Sequence, residues 1–259
     1  MSVSSLGDPK SQRSRGQFIE LLKVQGKLAL REPFAIGAGL ALPIVLLAVF
    51  GWIGQQNPGL VADSGQTIID LWTPTILVIS FLFISLSLPN TLVRDREVGW
   101  LRRVSTTPLH PSRLLAAQLT FNLLLAAVAV LVIIPGGALV FGASLHVQVL
   151  PFAVSLALAI AELFALGLVL VALVPSQTVS QVVNGAVGLP LMFLTGLWVN
   201  PAQTGEPLRT IMYYSPSGAA AKALLDSIFN GSPSYGSLLT MVVYTAIFGF
   251  IAVRYFRWE

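Results

Sequence analysis

The feature that most constrains this chain is a stretch of 48 residues, from Leu114 to Ala161, without a single Asp, Glu, Lys or Arg. A helix needs about 20 apolar residues to cross the hydrocarbon core of a bilayer. The stretch is therefore too long for one crossing and fits two, joined by a turn at about residues 142–149. Only 10% of the whole chain is charged, against roughly a quarter in a soluble domain. The sequence predicts an all-α integral membrane protein.

Other uncharged segments have the length of a single crossing. One runs for 23 residues from Leu71 to Val93, between Asp70 and Arg94. We predict one membrane domain, residues 33–259, with six transmembrane helices. They are expected at about residues 34–54, 71–93, 114–141, 150–174, 181–199 and 238–256.

The positions of the 15 Lys and Arg residues predict the orientation of these helices. Six precede the first span, five lie between the second and the third, and two follow the sixth, which leaves two for the other side. Because cytoplasmic flanks carry the excess of Lys and Arg, both termini are predicted to be cytoplasmic and the chain to lie in the cell membrane. These basic flanks suit anionic lipid headgroups, and no nucleic-acid partner is predicted.

Residues 1–32 are predicted to form a cytoplasmic extension that contains an amphipathic helix at residues 17–31. Charged side chains recur there at spacings of three and four residues, at Glu20, Lys23, Lys27 and Arg31, which places them on one helical face. Such a helix lies in the membrane interface. It either anchors the first span or docks a partner protein.

The predicted cytoplasmic loop after the second span mixes acidic and basic side chains. Topology explains its arginines, but acidic residues add little to orientation, so Asp95 and Glu97 need another explanation. Alternating charges beside an apolar edge suit docking to a soluble protein, and the alternative is a solvated loop. The candidate docking residues are Arg94, Asp95, Glu97, Gly99, Arg102, Arg103, Thr107 and Pro108.

The long connection before the last span, residues 200–237, reads as two short helices that meet at residues 215–217. Each is too short to cross the membrane, yet too apolar for a free loop. External re-entrant or interfacial half-helices satisfy both conditions. Tyr213, Tyr214 and Pro216 mark their junction.

The loop from Arg94 through Glu97 and Gly99 to Thr107-Pro108 resembles the signature of the ABC type-2 permeases, particularly the daunorubicin-resistance-like antibiotic exporters. The external segment at residues 206–224 is similar to the stretch before the last span in that family. The resemblance covers nearly the whole chain. Trp100 departs from it, because relatives often have a small or hydroxyl residue there.

The resemblance implies a permease that dimerises and pairs with two copies of a separate ABC ATPase, which docks on the loop. It implies export of hydrophobic or amphipathic small molecules, with lipid or lipid-linked glycan as the alternative. The chain has no Gly-x-x-x-x-Gly-Lys-[Ser/Thr] phosphate loop, so ATP and Mg are expected on the partner. No cofactor, metal site or catalytic residue is predicted in the chain itself.

Glu162 falls near the middle of the predicted fourth span, where an ionised carboxylate costs several kcal/mol unless it is paired or hydrated. We predict a path or gating residue, together with Gln181 and Asn184; Gln118 and Asn122 are further polar side chains near it. The alternative is a neutral acid that donates one interhelical hydrogen bond. A different class, a proton-coupled secondary transporter, would use Glu162 and no ATPase.

Overall fold

The computed structural model describes residues 37–56, 68–97, 111–143 and 148–256, together with Gly26. Nothing further in the predicted N-terminal amphipathic helix falls within them. The described residues form eight α-helices and no β-strand: α1 (Leu42–Gln56), α2 (Ile68–Glu97), α3 (Pro111–Pro135), α4 (Val149–Leu173), α5 (Gln177–Leu194), α6 (Glu206–Tyr214), α7 (Pro216–Phe229) and α8 (Tyr235–Tyr255). A π-helical turn, Gly37–Ala41, leads into α1, and another, Gly136–Val140, follows α3.

Five of the described helices are long and apolar enough to cross a membrane: Gly39–Gln56, Ile69–Glu97, Leu115–Val140, Val149–Leu173 and Tyr235–Tyr255. They agree with five of the six predicted spans, and the chain is a multi-pass membrane protein. The remaining predicted span corresponds to α5. Its 18 residues include Gln177, Gln181 and Asn184. These polar side chains lower the mean hydropathy of α5, so hydropathy alone does not mark it as a crossing helix.

The helix boundaries differ from the predicted spans in two informative places. α2 has 30 residues, about 45 Å at the rise of an α-helix, so its charged end extends beyond a hydrocarbon core of about 30 Å. The fifth span was expected to reach residue 199, but α5 ends at Leu194. Gly196 has a positive φ of 88°, a conformation that terminates helices.

α2 is the central helix of the described structure. It contacts α1, α3, α4, α5 and α7, and 78% of its membrane-crossing part is buried, against 17% for α8. Its fully buried apolar side chains form the middle of the core: Ile76, Leu77, Val78, Ile79, Phe81 and Leu82. α8 instead packs along α4 and exposes apolar side chains such as Phe250 and Val253, as a lipid-facing helix does.

Three of the helices end at the same face of the bundle. Arg96 at the end of α2, residues 172–175 at the end of α4, and Tyr255 at the end of α8 line one cleft. We call this side the Arg96 face. α5 starts there and runs antiparallel to α2, because Ser180 bonds to Asn90 while the later Gly188 packs on the earlier Leu86.

The predicted pair of short helices before the last span is confirmed as α6 and α7, which form a tight hairpin at the opposite face. The Ser215 hydroxyl caps α7 by accepting from the Gly218 N–H at 3.1 Å, and Pro216 occupies the first turn, where a missing N–H costs nothing. Gly218 lies so close to the Met212 carbonyl that no Cβ would fit. Most side chains of α7 are buried, so the hairpin is inserted among the spanning helices.

Candidate functional site

The site begins at the end of α2, where Arg96 reaches across to α4. Its guanidinium Nη2 donates to the Val171 carbonyl at 2.7 Å. That carbonyl is one of the last four of α4, which have no donor within their own helix. A cation at a helix C-terminus also interacts favourably with the helix dipole. Arg96 therefore joins α2 to α4 through a residue that lies 75 positions further along the sequence.

Beside this contact lies a cleft of about 550 Å³ that opens on the Arg96 face. Its walls are Arg96, Glu97, residues 172–175 and Tyr255. Glu97 is the last residue of α2 and its side chain is exposed. Arg94 and Asp95 complete this end, with Nε and Oδ1 4.0 Å apart. The cleft therefore presents an accessible carboxylate and the backbone end of a helix to a partner.

The predicted docking residues divide between the described residues and the rest of the chain. Arg94, Asp95 and Glu97 occupy the last turn of α2. The other predicted docking residues lie outside the described ranges: Gly99, Arg102, Arg103, Thr107 and Pro108. Their role in docking stays a prediction.

A second polar cluster joins α2 to α5 near the Arg96 face. Asn184 Nδ2 donates to the Leu86 carbonyl at 2.8 Å and to Asn90 Oδ1 at 3.1 Å. The Ser180 hydroxyl donates to the same Asn90 oxygen at 3.0 Å. Asn184 is therefore a helix-joining residue, and its own buried Oδ1 has no hydrogen-bond partner within the described structure. Gln181 lies on the exposed side of α5, away from this cluster.

Glu162 is fully buried in the middle of α4. Neither carboxyl oxygen has a hydrogen-bond partner among the described residues. Asn122, one of the polar side chains expected near it, bonds elsewhere: its Nδ2 donates to the Gln118 backbone carbonyl, and its Oδ1 accepts from Ser87. The buried Oε1 of Gln118 also has no hydrogen-bond partner among the described residues. An ionised carboxylate with no partner in such a place costs several kcal/mol, so the neutral acid is the form that fits.

At the opposite face, the junction residues of the α6–α7 hairpin have structural partners. Lys222 Nζ lies 5.3 Å from the centre of the Tyr213 ring, and the Tyr214 carbonyl accepts from the Tyr244 hydroxyl at 3.2 Å. Asp226 accepts from Lys222 at 2.8 Å and from the Ser234 N–H at 3.3 Å. The contacts of Ser234 and Tyr244 hold the hairpin against the first half of α8, and those of Lys222 lie within the hairpin.

Sequence reasoning missed three residues that shape the contact between α2 and α4. Pro89 has no N–H, so the Ser85 carbonyl four residues earlier lacks its helical donor. Gly167 of α4 lies against that carbonyl, and a Cβ there would be 2.5 Å from its oxygen. Arg96 was read as part of a loop. Pro89 and Gly167 were visible in the sequence, but their pairing depends on the fold.

The part of the chain that the structure describes contains no group of three His, Cys, Asp or Glu side chains able to hold a metal ion. The polar features described there include helix-to-helix bonds, the buried acids Asp70 and Glu162, and the charged end of α2.

Comparison with known proteins agrees with this geometry. Residues 16–229 match the ABC-2 type transporter family. The chain is also 26% identical, over 248 residues, to a protein of Cyanophora paradoxa that carries the name transport permease ycf38, with 86% of this chain and 83% of the relative aligned. The family match includes α1 to α7.

Proposed function

The chain belongs to the ABC-2 type transporter family, and from that premise we propose that it is the membrane subunit of an ATP-driven exporter. The observation that carries the proposal is the exposed Glu97 at the end of α2, beside a cleft formed where three helices end. In this proposal the partner ATPase docks there. The chain is a transport subunit, and ATP and Mg bind to two copies of the ATPase.

The proposed topology has six crossings, with α5 as the fifth. α4 ends and α5 begins at the Arg96 face, whereas α8 begins beside the hairpin, where the Ser234 N–H bonds to Asp226. The chain must therefore pass from one face to the other between Leu173 and Tyr235. α5 supports this passage, because its 18 residues span about 27 Å and its polar side chains Ser180 and Asn184 bond to α2 rather than to lipid.

With six crossings, both termini and the Arg96 face lie in the cytoplasm, and the chain lies in the cell membrane. The excess of Lys and Arg before α1, between α2 and α3, and after α8 supports this orientation. α6 and α7 are then external, and the burial of α7 supports a re-entrant hairpin. Backbone at membrane depth is tolerated where it is buried in protein.

The proposed cargo is a hydrophobic or amphipathic small molecule of the antibiotic or drug type, carried between two copies of this chain. α5 lines the path, since it exposes apolar side chains such as Val182 and Leu189. The buried α2 supports α5 from behind through Asn90, which accepts from Ser180 and Asn184. A path with apolar walls and a few polar groups suits such cargo. Lipid or lipid-linked glycan is the other cargo class that these walls accommodate.

Charge reversal at Glu97 tests the docking. The permease, co-expressed with the ABC ATPase encoded beside it, is compared as wild type, Glu97→Lys and Glu206→Lys. The last variant makes the same change at an exposed acid of α6. Glu97→Lys is expected to insert normally but to lose ATP-driven uptake of hydrophobic dyes and of a labelled phospholipid by inverted vesicles, while Glu206→Lys retains the uptake. Unchanged uptake with Glu97→Lys would contradict the docking.

One observation favours a second candidate function, a proton-coupled transporter. Glu162 is buried at mid-membrane without a hydrogen-bond partner in the described structure, as a proton-carrying acid could be. Transport by the chain without any ATPase, abolished by a protonophore and by Glu162→Gln, would establish this alternative. Transport that needs the ATPase and survives Glu162→Gln would leave that residue a structural role.

A further inference from the structure

We propose that Arg96 is a positioning residue that fastens α4 to the end of α2. Both helices then move together, as one lever, when the bound ATPase shifts the end of α2. The inference rests on the proposed docking of an ATPase at the end of α2. It extends the moving part of the permease to α4, the helix that carries Glu162.

The first contact of the lever follows from a missing donor in α4. In a continuing helix the Val171 carbonyl would accept from the N–H of residue 175, but residue 175 is Pro and has none. Arg96 Nη2 donates to this carbonyl instead, at 2.7 Å. A hydrogen bond from a charged group is stronger than one between neutral groups, so this contact joins the two helix ends.

The second contact is the converse of the first. Pro89 leaves the Ser85 carbonyl of α2 without a helical donor, and Gly167 of α4 packs directly against it. Each helix thus presents a carbonyl freed by a proline to the other helix. Between the two contacts, Leu88, Leu92 and Val171 form a small buried apolar cluster. The two helices are therefore held along about three turns of α2, from Ser85 to Arg96.

The lever reaches the middle of the membrane. Glu162 lies nine residues before Val171 on α4, about 13 Å along the helix axis. Asn90 on the same part of α2 accepts from Ser180 and Asn184 of α5. A shift of the end of α2 is therefore passed to α4 through Arg96 and to α5 through Asn90.

Spin labels can test the lever without knowledge of the cargo. The chain has no native cysteine, so labels attach only at Ala161→Cys on α4 and Ile211→Cys on α6, both exposed. The distance between the labels is measured in the complex with the ATPase, in phospholipid nanodiscs, nucleotide-free and after trapping with ATP and vanadate. With Arg96 present we expect trapping to change the distance by about 2 Å or more, the scale of helix shifts in switching proteins.

The variants separate the lever from docking. Arg96→Met keeps the apolar stem but has no donor, so it should lose the distance change while the ATPase still copurifies. Arg96→Lys should retain the change, because the ammonium can also donate to a carbonyl. Arg254→Met is the matched control, since it removes a cation from the last turn of α8 that lies over the Tyr255 ring, and it should retain the change. If Arg96→Met does not fold, Arg96→Leu replaces it.

A full distance change in Arg96→Met, or no change with Arg96 in place while the bound ATPase hydrolyses ATP, would overturn the lever alone. Failure of the ATPase to copurify with the parent protein would overturn the docking proposal, and the lever with it.

Discussion

The α6–α7 hairpin and the end of α2 both carry charged side chains at a face of the bundle, but they use them differently. In the hairpin the charges are paired locally, with Arg209 on Glu206 and Lys222 on Asp226. At the end of α2, Arg96 bonds to another helix and Glu97 is exposed in a cleft. Charges satisfied within a hairpin stabilise that hairpin, whereas charges directed away from their own helix are available for coupling and docking.

The two regions also share one structural feature, a glycine that packs against a backbone carbonyl. Gly218 lies against the Met212 carbonyl inside the hairpin, and Gly167 lies against the Ser85 carbonyl between α4 and α2. A substitution in the hairpin should therefore affect stability alone. A substitution between α4 and α2 should affect both stability and coupling to the ATPase.

The largest effect is expected for Gly218→Ala. A Cβ would overlap the Met212 carbonyl, and a backbone oxygen held in a helix cannot move aside, so the hairpin must open. Overpacking lowers the free energy of unfolding by up to about 3 kcal/mol, and we expect a loss at the upper end of that range. Thermal unfolding in detergent, followed by tryptophan fluorescence, measures the loss. Gly236→Ala, where a Cβ meets open space, should unfold near the wild-type temperature; equal losses in both variants would contradict this account of the turn.

Gly167→Ala should have a smaller effect on stability but a larger one on coupling. A Cβ would lie 2.5 Å from the Ser85 oxygen, and α4 can retreat slightly from α2 to admit it, at about 2 kcal/mol. That retreat lengthens the Arg96 bond, so transport per ATP hydrolysed should fall. Gly185→Ala on α5, with open space around it, is the matched control. Unchanged coupling in Gly167→Ala would show that this contact is only packing.

The smallest effects are expected for the two ion pairs of the hairpin, and Asp226→Asn should have the larger effect of the two. The change removes the ion pair with Lys222 and replaces an acceptor of the Ser234 N–H. Because the pair is partly buried, we expect a loss of about 1 kcal/mol, measured by the same unfolding assay. Glu206→Gln breaks a more exposed pair and should cost less than about 0.5 kcal/mol. The reverse order would contradict the assignment of Asp226 as the anchor of the hairpin.

The lengths of the apolar segments predict most of the helices, because the bilayer fixes the length of a crossing. The fourth span, expected at residues 150–174, is found at Val149–Leu173. The end of α5 was missed, since hydropathy does not register the backbone turn at Gly196. The status of α5 as a crossing also depends on where its neighbours end, which no single segment reveals.

The sequence predicted the charged end of α2, but it did not predict the contacts of the site between residues that are far apart in the chain. The charged pattern predicted Asp95 and Glu97 as docking residues, because topology alone did not explain acids there, and their role in docking stays a prediction. The role of Arg96 depends on Val171, 75 positions away. The burial of Glu162 was expected from its place in the span, but its lack of a hydrogen-bond partner could be seen only once Asn122 and Asn184 were found to bond elsewhere.

The central claim is that the end of α2 faces the cytoplasm and receives the ATPase. The most direct measurement is labelling of single cysteines at Glu97→Cys and Glu206→Cys with a membrane-impermeant maleimide, in intact cells and in inside-out vesicles. Glu206→Cys should label in intact cells; Glu97→Cys should label only in inside-out vesicles and become protected when the ATPase is bound. Labelling of Glu97→Cys in intact cells, or its equal labelling with and without the ATPase, would contradict the claim.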